Sequence, residues 1–218
     1  MPTAKKKNSQ EKAYVFLKNE IISLAIRPGS PIRTQEIAHK LKSSRTPVLQ
    51  ALSRLEQDGF VRREGGWGYV VHPISQKEIR DLFKIRESLE VQAAVEATPN
   101  LNDTDYKLME SILRAMSLLL KEKKFTELRL KSREFHLLIA AASDNELLHR
   151  LLTLTRDRVL LVGALHQNMR QSRAREVLSD TARIYQALLA KNIREVRASV
   201  LAHIRGSRRS LLSSRGDA

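Results

Sequence analysis

The sequence predicts a mainly α protein, in which an N-terminal winged helix-turn-helix with a small β-hairpin wing precedes an all-α helical bundle. Three observations predict this fold class. Good helix formers dominate a chain of 218 residues that contains only 8 glycines and 6 prolines. A glycine-rich segment lies between two short apolar runs at residues 60–72, which is the pattern of a β-hairpin. Apolar residues recur at helical spacing over most of the remaining chain.

The order of these elements divides the chain into three segments. We expect residues 1–10, which are polar and basic, to form a disordered leader. Residues 11–73 have the order helix, helix, turn, helix and hairpin that is typical of a winged helix-turn-helix DNA-binding domain. Its helices are predicted at 11–24, 34–41 and 44–58, with Thr34 and Ser44 as N-caps. Pro73 closes this domain.

Residues 74–218 are helical in pattern throughout, and we expect them to form an effector-binding and dimerisation domain. Breaks in the apolar periodicity divide this segment into six helices. The first of them is predicted to end at Thr98-Pro99-Asn100, because proline interrupts a helix. The six helices are predicted near 75–97, 103–123, 125–142, 145–169, 172–191 and 193–213.

Charge and composition narrow the possible partners. Lys and Arg number 39 against 24 Asp and Glu, a formal net charge of +15 that attracts polyanions such as nucleic acid or an anionic membrane surface. The absence of cysteine excludes thiol catalysis, disulfides and Cys-ligated zinc. No secretory signal is present and no apolar run is long enough to cross a bilayer, so a cytoplasmic location without a membrane partner is expected.

The start of the third predicted helix is the expected DNA-reading element. Ser44 and Thr46 offer hydroxyls beside the positive helix terminus, which suits phosphate, and Arg45 can pair with guanine O6 and N7. The other expected DNA contacts are Arg33 and Gln35 near the second helix, Arg62 on the wing and Gly66 at the hairpin tip. Taken alone, residues 44–47 are equally a capped helix start with a solvated arginine; their place in the domain and the charge of +15 favour DNA contact.

Several motifs fall in the order and spacing of a known family. Arg27-Pro28-Gly29-Ser30-Pro31-Ile32, Ser44-Arg45-Thr46-Pro47-Val48 and Gly68-Tyr69-Val70-Val71 resemble the winged-helix domain of the GntR family of bacterial regulators, over about residues 11–73. One departure matters. The family usually has Arg-Glu after Pro-Val, where this chain has Leu49-Gln50. We therefore expect one arginine contact to be missing and Gln50 to read adenine instead.

The second half also resembles a known domain. Arg86-x-x-Leu89-Glu90, Phe135-His136, Asn145-Glu146-Leu147-Leu148 and Ala202-His203-Ile204 resemble the FCD effector domain of the FadR-like branch, and six helices rather than seven resemble its VanR subgroup. The resemblance implies a homodimeric, ligand-responsive transcriptional regulator that binds a palindromic operator in double-stranded DNA. Such regulators are usually repressors of catabolic or transport genes, released by a small organic acid.

Many FCD domains hold a divalent metal with an Asp-x-x-x-His pair and two further histidines. In this chain His136 and His203 match two of those positions, whereas Ser132 stands at the Asp position and Thr181 at a His position. Two neutral hydroxyls replace a carboxylate and an imidazole, which removes strong metal ligands and the charge that offsets a dication. We therefore expect no tightly bound metal and no cofactor.

Without the metal, the same positions predict a direct anion site. We expect Ser132, His136, Thr181 and His203 to hydrogen-bond an organic anion, with counter-charge from Arg86 and from Arg133. Other interpretations stay open: the two histidines are core residues, Arg133 is solvated, or the domain only dimerises and leaves DNA binding without effector control.

Two further function classes compete with a regulator. The first is a metal-dependent enzyme that uses His136 and His203, but no carboxylate aligns with this pair and no Ser-His-Asp or phosphate-loop spacing is present, so we expect no enzyme. The second is a sequence-independent DNA coat that relies on net charge alone.

Overall fold

A computed structural model describes residues 4–65, 68–165 and 171–213. The chain forms two compact units, Met1–Ser75 and Gln76–Ala218, which divide two residues beyond the expected boundary. The first unit is a winged helix-turn-helix and the second is a helical bundle, so the predicted fold class is confirmed. Within the described ranges, no helix is both long and apolar enough to cross a membrane.

The N-terminal unit combines three helices with a small sheet. Its elements are α1 (Ala4–Ile22), β1 (Pro31–Ile32), α2 (Thr34–Lys40), α3 (Arg45–Gln57), β2 (Val61–Glu64) and β3 (Gly68–Val71). Helix α3 packs against α1, α2 and β2. The core is formed by fully buried side chains that include Leu17, Ile21, Leu52 and Leu55. This packing fixes the orientation of α3, the helix expected to read DNA.

The sheet has one more strand than the sequence predicts. Its order is β1-β3-β2, and both pairings are antiparallel, with Ile32 opposite Tyr69 and Glu64 opposite Gly68. The two residues of β1 are too few to show an alternating pattern. A tight turn leads into this strand at Gly29, whose φ of +82° suits glycine and whose N–H donates to the Val71 carbonyl at 2.8 Å.

Two details of the N-terminal prediction are wrong. Helix α1 already begins at Ala4, whereas a disordered leader was expected up to residue 10. Lysine, glutamine and glutamate are good helix formers, so they extend the helix towards the N-terminus beyond its buried residues. The N-cap of α2 is Arg33 and not Thr34. Ser44 does occupy the N-cap position of α3, but its hydroxyl makes no capping hydrogen bond.

The C-terminal unit contains six helices in its described residues. They are α4 (Gln76–Asn100), α5 (Asp103–Lys121), α6 (Phe125–Ala142), α7 (Glu146–Leu165), α8 (Gln171–Leu189) and α9 (Ile193–Ser213). Helix α4 packs against α6, α7 and α9, and α8 packs against α5, α6 and α9. Side chains from α4, α6, α7, α8 and α9 therefore reach one shared interior.

The predicted break at Thr98-Pro99-Asn100 is wrong, because α4 continues through Pro99 to Asn100. Proline lies in the last turn, where a missing backbone N–H removes only one helical hydrogen bond. Thr98 supports this turn by donating its hydroxyl to the Ala94 carbonyl at 2.7 Å. The predicted end of the fourth C-terminal helix, residues 166–169, lies outside the described residues.

Candidate DNA-binding surface and ligand cavity

Helix α3 has one buried face and one exposed face. The buried face consists of Pro47, Val48, Ala51, Leu52 and Leu55. The opposite face is exposed and carries the expected DNA contacts Ser44, Arg45, Thr46 and Gln50. Because residues four apart share a helix face, Arg45 lies beside position 49, and Thr46 lies beside Gln50.

Leu49 also belongs to this exposed face, although no DNA contact was expected of it. Its side chain is 42% exposed and lies among the polar side chains of this face. An apolar side chain among polar ones in a major groove can contact the methyl group of thymine. Its four-residue spacing from Arg45 was the signal that could have placed it there.

The other expected DNA contacts are exposed and partly paired with acidic neighbours. The Arg33 Nη1 lies 3.0 Å from Glu36 Oε1, and the Arg62 Nη2 lies 3.4 Å from Glu64 Oε1. Such exposed ion pairs contribute little to stability, so both arginines can exchange their carboxylate for a phosphate. Gln35 is exposed as well. Gly66 lies outside the described residues.

A cavity of about 100 Å³ opens in the C-terminal unit. Three of the expected effector contacts, Arg86, Ser132 and His203, line it, together with Arg133. His136 and Thr181 do not line it. The remaining lining residues are Arg129, Arg156, Val159, Leu160, Gly163, Arg173, Val177, Ser207, Ser210 and Leu211.

Glu90 on α4 joins three cationic or polar groups inside the bundle. It accepts a hydrogen bond from Arg86 Nε at 2.7 Å, one turn away on the same helix. It also accepts from Arg156 Nη2 on α7, and its Oε2 lies 3.2 Å from His136 Nδ1 on α6. Although burial opposes ionisation, the charges of Arg156 and Arg86 hold the pKa of Glu90 well below its usual value. Glu90 is therefore an anion held between three helices.

His136 and His203 form a stacked pair at this centre. Their ring centroids are 4.8 Å apart, with 27° between the ring planes. Burial and the charge of Arg156 lower the pKa of His136 well below its usual value, and burial also lowers the pKa of His203. Both rings are therefore neutral near neutral pH. His136 then donates its Nδ1 proton to Glu90, which leaves its buried Nε2 without a partner.

Three expectations about this centre need correction. The Thr181 hydroxyl donates to the Val177 carbonyl of its own helix at 2.7 Å, and this fully buried residue does not line the cavity. Arg133 is not simply solvated, because its guanidinium pairs with the buried Asp157 at 2.5 Å. Carboxylates do meet the histidines, contrary to expectation: Glu90 meets His136, and Asp180 Oδ2 lies 3.6 Å from His203 Nδ1.

The residues present do not fit a divalent metal. In the part of the chain that the structure describes, no group of three or more His, Asp or Glu side chains is arranged to hold an ion. The Thr181 hydroxyl donates to a backbone carbonyl, and the guanidinium of Arg156 already interacts with Glu90, the carboxylate nearest to His136. A cation at this position repels a dication instead of coordinating it. The expectation of no bound metal stays a prediction.

Arg156 and Glu90 are the functional candidates that sequence reasoning missed. The signal for Glu90 was present, because Arg86 and Glu90 are four residues apart and share a helix face. No such signal marks Arg156, since only the packing of α7 against α4 brings it to Glu90. Burial lowers the pKa of Arg156 to about 9, so this guanidinium is still a cation at neutral pH.

A winged helix-turn-helix followed by a helical bundle with an internal charged cavity is the organisation of one-component DNA-binding regulators, which carry the DNA-binding and sensing domains on the same polypeptide. Two family models match the chain: "Bacterial regulatory proteins, gntR family" over residues 9–71 and "FCD domain" over residues 81–206. The chain belongs to the GntR family and carries an FCD domain.

Similar proteins have the same organisation. The HTH-type transcriptional regulator YdhC of Bacillus subtilis is 26% identical over 191 residues, which cover 87% of this chain and 85% of YdhC. The HTH-type transcriptional repressor RspR of Escherichia coli is 24% identical over 63% of this chain and 60% of its own length. The solved structure of E. coli McbR/YncC superposes with a TM-score of 0.85 at 20% identity, covering 98% of this chain and 99% of that one, and shows a shared fold.

Proposed function

We propose that this chain is a ligand-responsive transcriptional repressor that binds a palindromic operator as a homodimer. The observation that carries the proposal is the exposed face at the start of α3, where Arg45, Leu49 and Gln50 stand opposite a buried face. A helix anchored in this way presents side chains at fixed spacing to the base edges of the major groove. RspR, a relative over part of this chain, is named a repressor, which supports the direction of control.

The C-terminal unit supplies the control. A small organic acid binds in the cavity between α4, α6, α7, α8 and α9 and shifts the dimer towards an arrangement that does not fit the operator. The cavity and its arginines favour sensing over a role in dimerisation alone. The six described helices of this unit are consistent with the VanR-like subgroup, and the regulated genes are proposed to serve catabolism or transport. No reaction is assigned to the stacked histidines.

Competition footprinting on the promoter regions beside the gene tests the proposal. A regulator protects one defined site in the presence of excess random duplex, whereas a charge-driven coat loses protection uniformly. A two-fold symmetric protected sequence is expected, because two identical winged domains read it. Failure of any duplex to outcompete scrambled DNA contradicts the proposal.

Arg45→Ala and Arg45→Lys identify the reading residue. We expect Arg45→Ala to lose about 1–3 kcal/mol of operator affinity at one base position and to relax the preference there. Arg45→Lys keeps the charge but loses the bidentate guanidinium, so it should keep the salt dependence of binding while losing the preference for guanine. Binding of both variants to a set of single-base operator variants measures this. An unchanged base preference in both variants contradicts the assignment of Arg45.

A further inference from the structure

Five arginine guanidiniums surround the cavity of the C-terminal unit. They come from four helices: Arg86 on α4, Arg129 and Arg133 on α6, Arg156 on α7 and Arg173 on α8. Guanidinium groups this close repel one another unless anions lie between them. The charges that face them therefore show whether the cavity is complete without a ligand.

The deepest two arginines share one carboxylate. Arg86 and Arg156 are both buried and both donate to Glu90, so one negative charge faces two positive charges. Each guanidinium also retains a buried donor, Arg86 Nη1 and Arg156 Nε, that has no acceptor among the described residues. Buried donors in folded proteins almost always have a partner. These two donors point to an acceptor that is not part of the described protein.

Arg129 adds a further uncompensated charge. Its Nη1 donates to the Gly163 carbonyl at 2.6 Å, and its Nη2 lies 3.5 Å from the Thr126 hydroxyl. Neither partner is charged, and no carboxylate among the described residues pairs with it. Burial alone lowers its pKa. By contrast, Arg133 is paired with Asp157.

Arg173 is the fifth arginine, and its nearest carboxylate is largely in solvent. Its Nη1 lies 2.7 Å from Glu176 Oε2, whose side chain is 61% exposed, and 4.0 Å from Asp180. Its Nη2 donates to the Ser207 hydroxyl at 2.8 Å. Solvent screens the Glu176 carboxylate, although the Arg173 side chain itself is only 11% exposed, so Arg173 remains available to a ligand. The described part of the cavity wall thus carries an excess of positive charge.

We propose that this cavity binds a small organic dianion directly through arginine guanidiniums, with no metal ion. The inference rests on the proposed effector role of the C-terminal unit and adds the charge of the ligand and the means of its recognition. Glu90 leaves one guanidinium of the Arg86–Arg156 pair uncompensated, and Arg129 contributes a second uncompensated charge. A guanidinium binds carboxylate and phosphate oxygens through paired N–H groups. The apolar side chains of Val159, Leu160, Val177 and Leu211 suit a short carbon skeleton between or beside the charged groups.

A comparison of matched anions on the full-length, wild-type protein tests the inference. The protein is treated with a chelator, dialysed and titrated by calorimetry with succinate and with butyrate, which has the same carbon chain but one carboxylate. Glycerol phosphate and inorganic phosphate form a second arm. We expect at least one dianion to bind about tenfold or more tightly than butyrate, and added zinc or nickel not to change that affinity. Tight binding of glycerol phosphate but not of succinate assigns the dianion to a phosphate ester and also supports the inference, whereas tight binding of inorganic phosphate alone contradicts an organic ligand.

Substitution of Arg129 links such binding to the cavity. Arg129→Gln removes a positive charge without leaving a carboxylate unpaired. We expect it to weaken dianion binding about tenfold while butyrate binding changes little. Arg129→Lys keeps the charge and should give an intermediate loss. Arg114→Gln on α5 is the control, because Arg114 is exposed, does not line the cavity and forms an ion pair with the exposed Glu110. Thermal unfolding without ligand shows that each variant is folded.

Three outcomes overturn the inference. The first is equal affinity for dianions and butyrate, and the second is dianion binding that appears only after a divalent metal is added. The third is a rise in thermal stability with dianions that is no larger than the rise with sodium chloride at the same ionic strength. Operator binding is measured separately on the same preparations. A chain that binds its operator but no dianion contradicts this inference alone, whereas a chain that binds a dianion but no operator contradicts the proposed function.

Discussion

The two units of this chain use arginine in opposite ways. In the N-terminal unit Arg33, Arg45 and Arg62 are exposed, and their neighbours are solvent or exposed carboxylates. In the C-terminal unit Arg86 and Arg156 are buried against one shared carboxylate. Exposed cations are screened and exchange partners easily, which suits a large polyanion such as DNA. Buried cations depend on fixed partners, which suits selection of one small ligand.

This difference has consequences for stability as well as for binding. The N-terminal unit relies on an apolar core that does not involve the exposed residues of α3, so its exposed arginines can be changed without unfolding it. The C-terminal unit places charges within its core, where the loss of one partner leaves another buried and unpaired. The same type of substitution should therefore have a large effect in one unit and a small effect in the other.

Glu90→Gln should have the largest effect. The amide keeps the shape of the side chain but removes the negative charge that faces Arg86 and Arg156. Removing one partner of a buried ion pair typically costs about 3–5 kcal/mol, and we expect a loss of that order in the free energy of unfolding of the C-terminal unit. Urea denaturation followed by circular dichroism measures it.

Asp81→Asn is the matched control for Glu90→Gln. Lys77 and Asp81 lie on the same helix, four residues apart like Arg86 and Glu90, and their ionic groups are 2.7 Å apart. This pair is exposed, so its loss should leave the unfolding midpoint unchanged within experimental error. Equal effects of the two substitutions would show that the buried network is not a stabilising feature.

Acidification should destabilise the C-terminal unit specifically. Because burial and Arg156 hold the pKa of His136 well below its usual value, the unfolded chain binds a proton on this residue near its ordinary pKa while the folded chain does not. Stability is therefore complete above about pH 6.5 and falls as the pH decreases below it, by at most about 1.4 kcal/mol per pH unit from this residue. Glu90 and Asp180 have lowered pKa values, so they reduce stability only at still lower pH.

Thermal unfolding of wild type and His136→Gln between about pH 7.5 and 5.5 measures this dependence. The variant should lose part of the pH slope, even if it is less stable at neutral pH. His203 also contributes, because burial lowers its pKa, so some slope should remain. A slope that is identical in wild type and variant would contradict a neutral, buried His136.

Sequence reasoning predicted the exposed and buried faces of α3 well and the lining of the cavity only in part. The face of α3 follows from helical periodicity, because which residues are buried there depends on local spacing. The cavity depends on which helices meet in three dimensions. Family resemblance placed Ser132 and His203 at the cavity, but it also placed His136 there, and His136 does not line it. Arg129, Arg156 and Arg173 show no sequence pattern that separates them from solvated arginines.

The same distinction explains the individual errors. Thr181 was expected to face a ligand because of its position in the family pattern, but a hydroxyl on a helix can bond to the carbonyl one turn earlier, and here it does. Arg133 was expected to be either a counter-charge for the ligand or a solvated residue, because its partner Asp157 lies 24 residues away, beyond any local pattern. Local sequence patterns predict helices and their buried faces. Contacts between side chains on different helices can be known only from the three-dimensional packing of those helices.

Glu64→Gln should have the smallest effect, and it should strengthen binding rather than weaken it. Glu64 is exposed beside Arg62 on the wing, with 3.4 Å between Glu64 Oε1 and Arg62 Nη2. Removing the carboxylate frees the arginine for phosphate and removes a charge that repels DNA, so operator affinity should rise roughly two- to fivefold. Fluorescence anisotropy at several salt concentrations measures the rise, which should shrink as salt increases.

Glu110→Gln removes an equivalent exposed carboxylate beside Arg114 in the C-terminal unit, and if the increase is local to the wing, this control should leave operator affinity unchanged. Equal increases in the two variants would instead mean that net charge alone attracts DNA and that the wing has no special place at the interface.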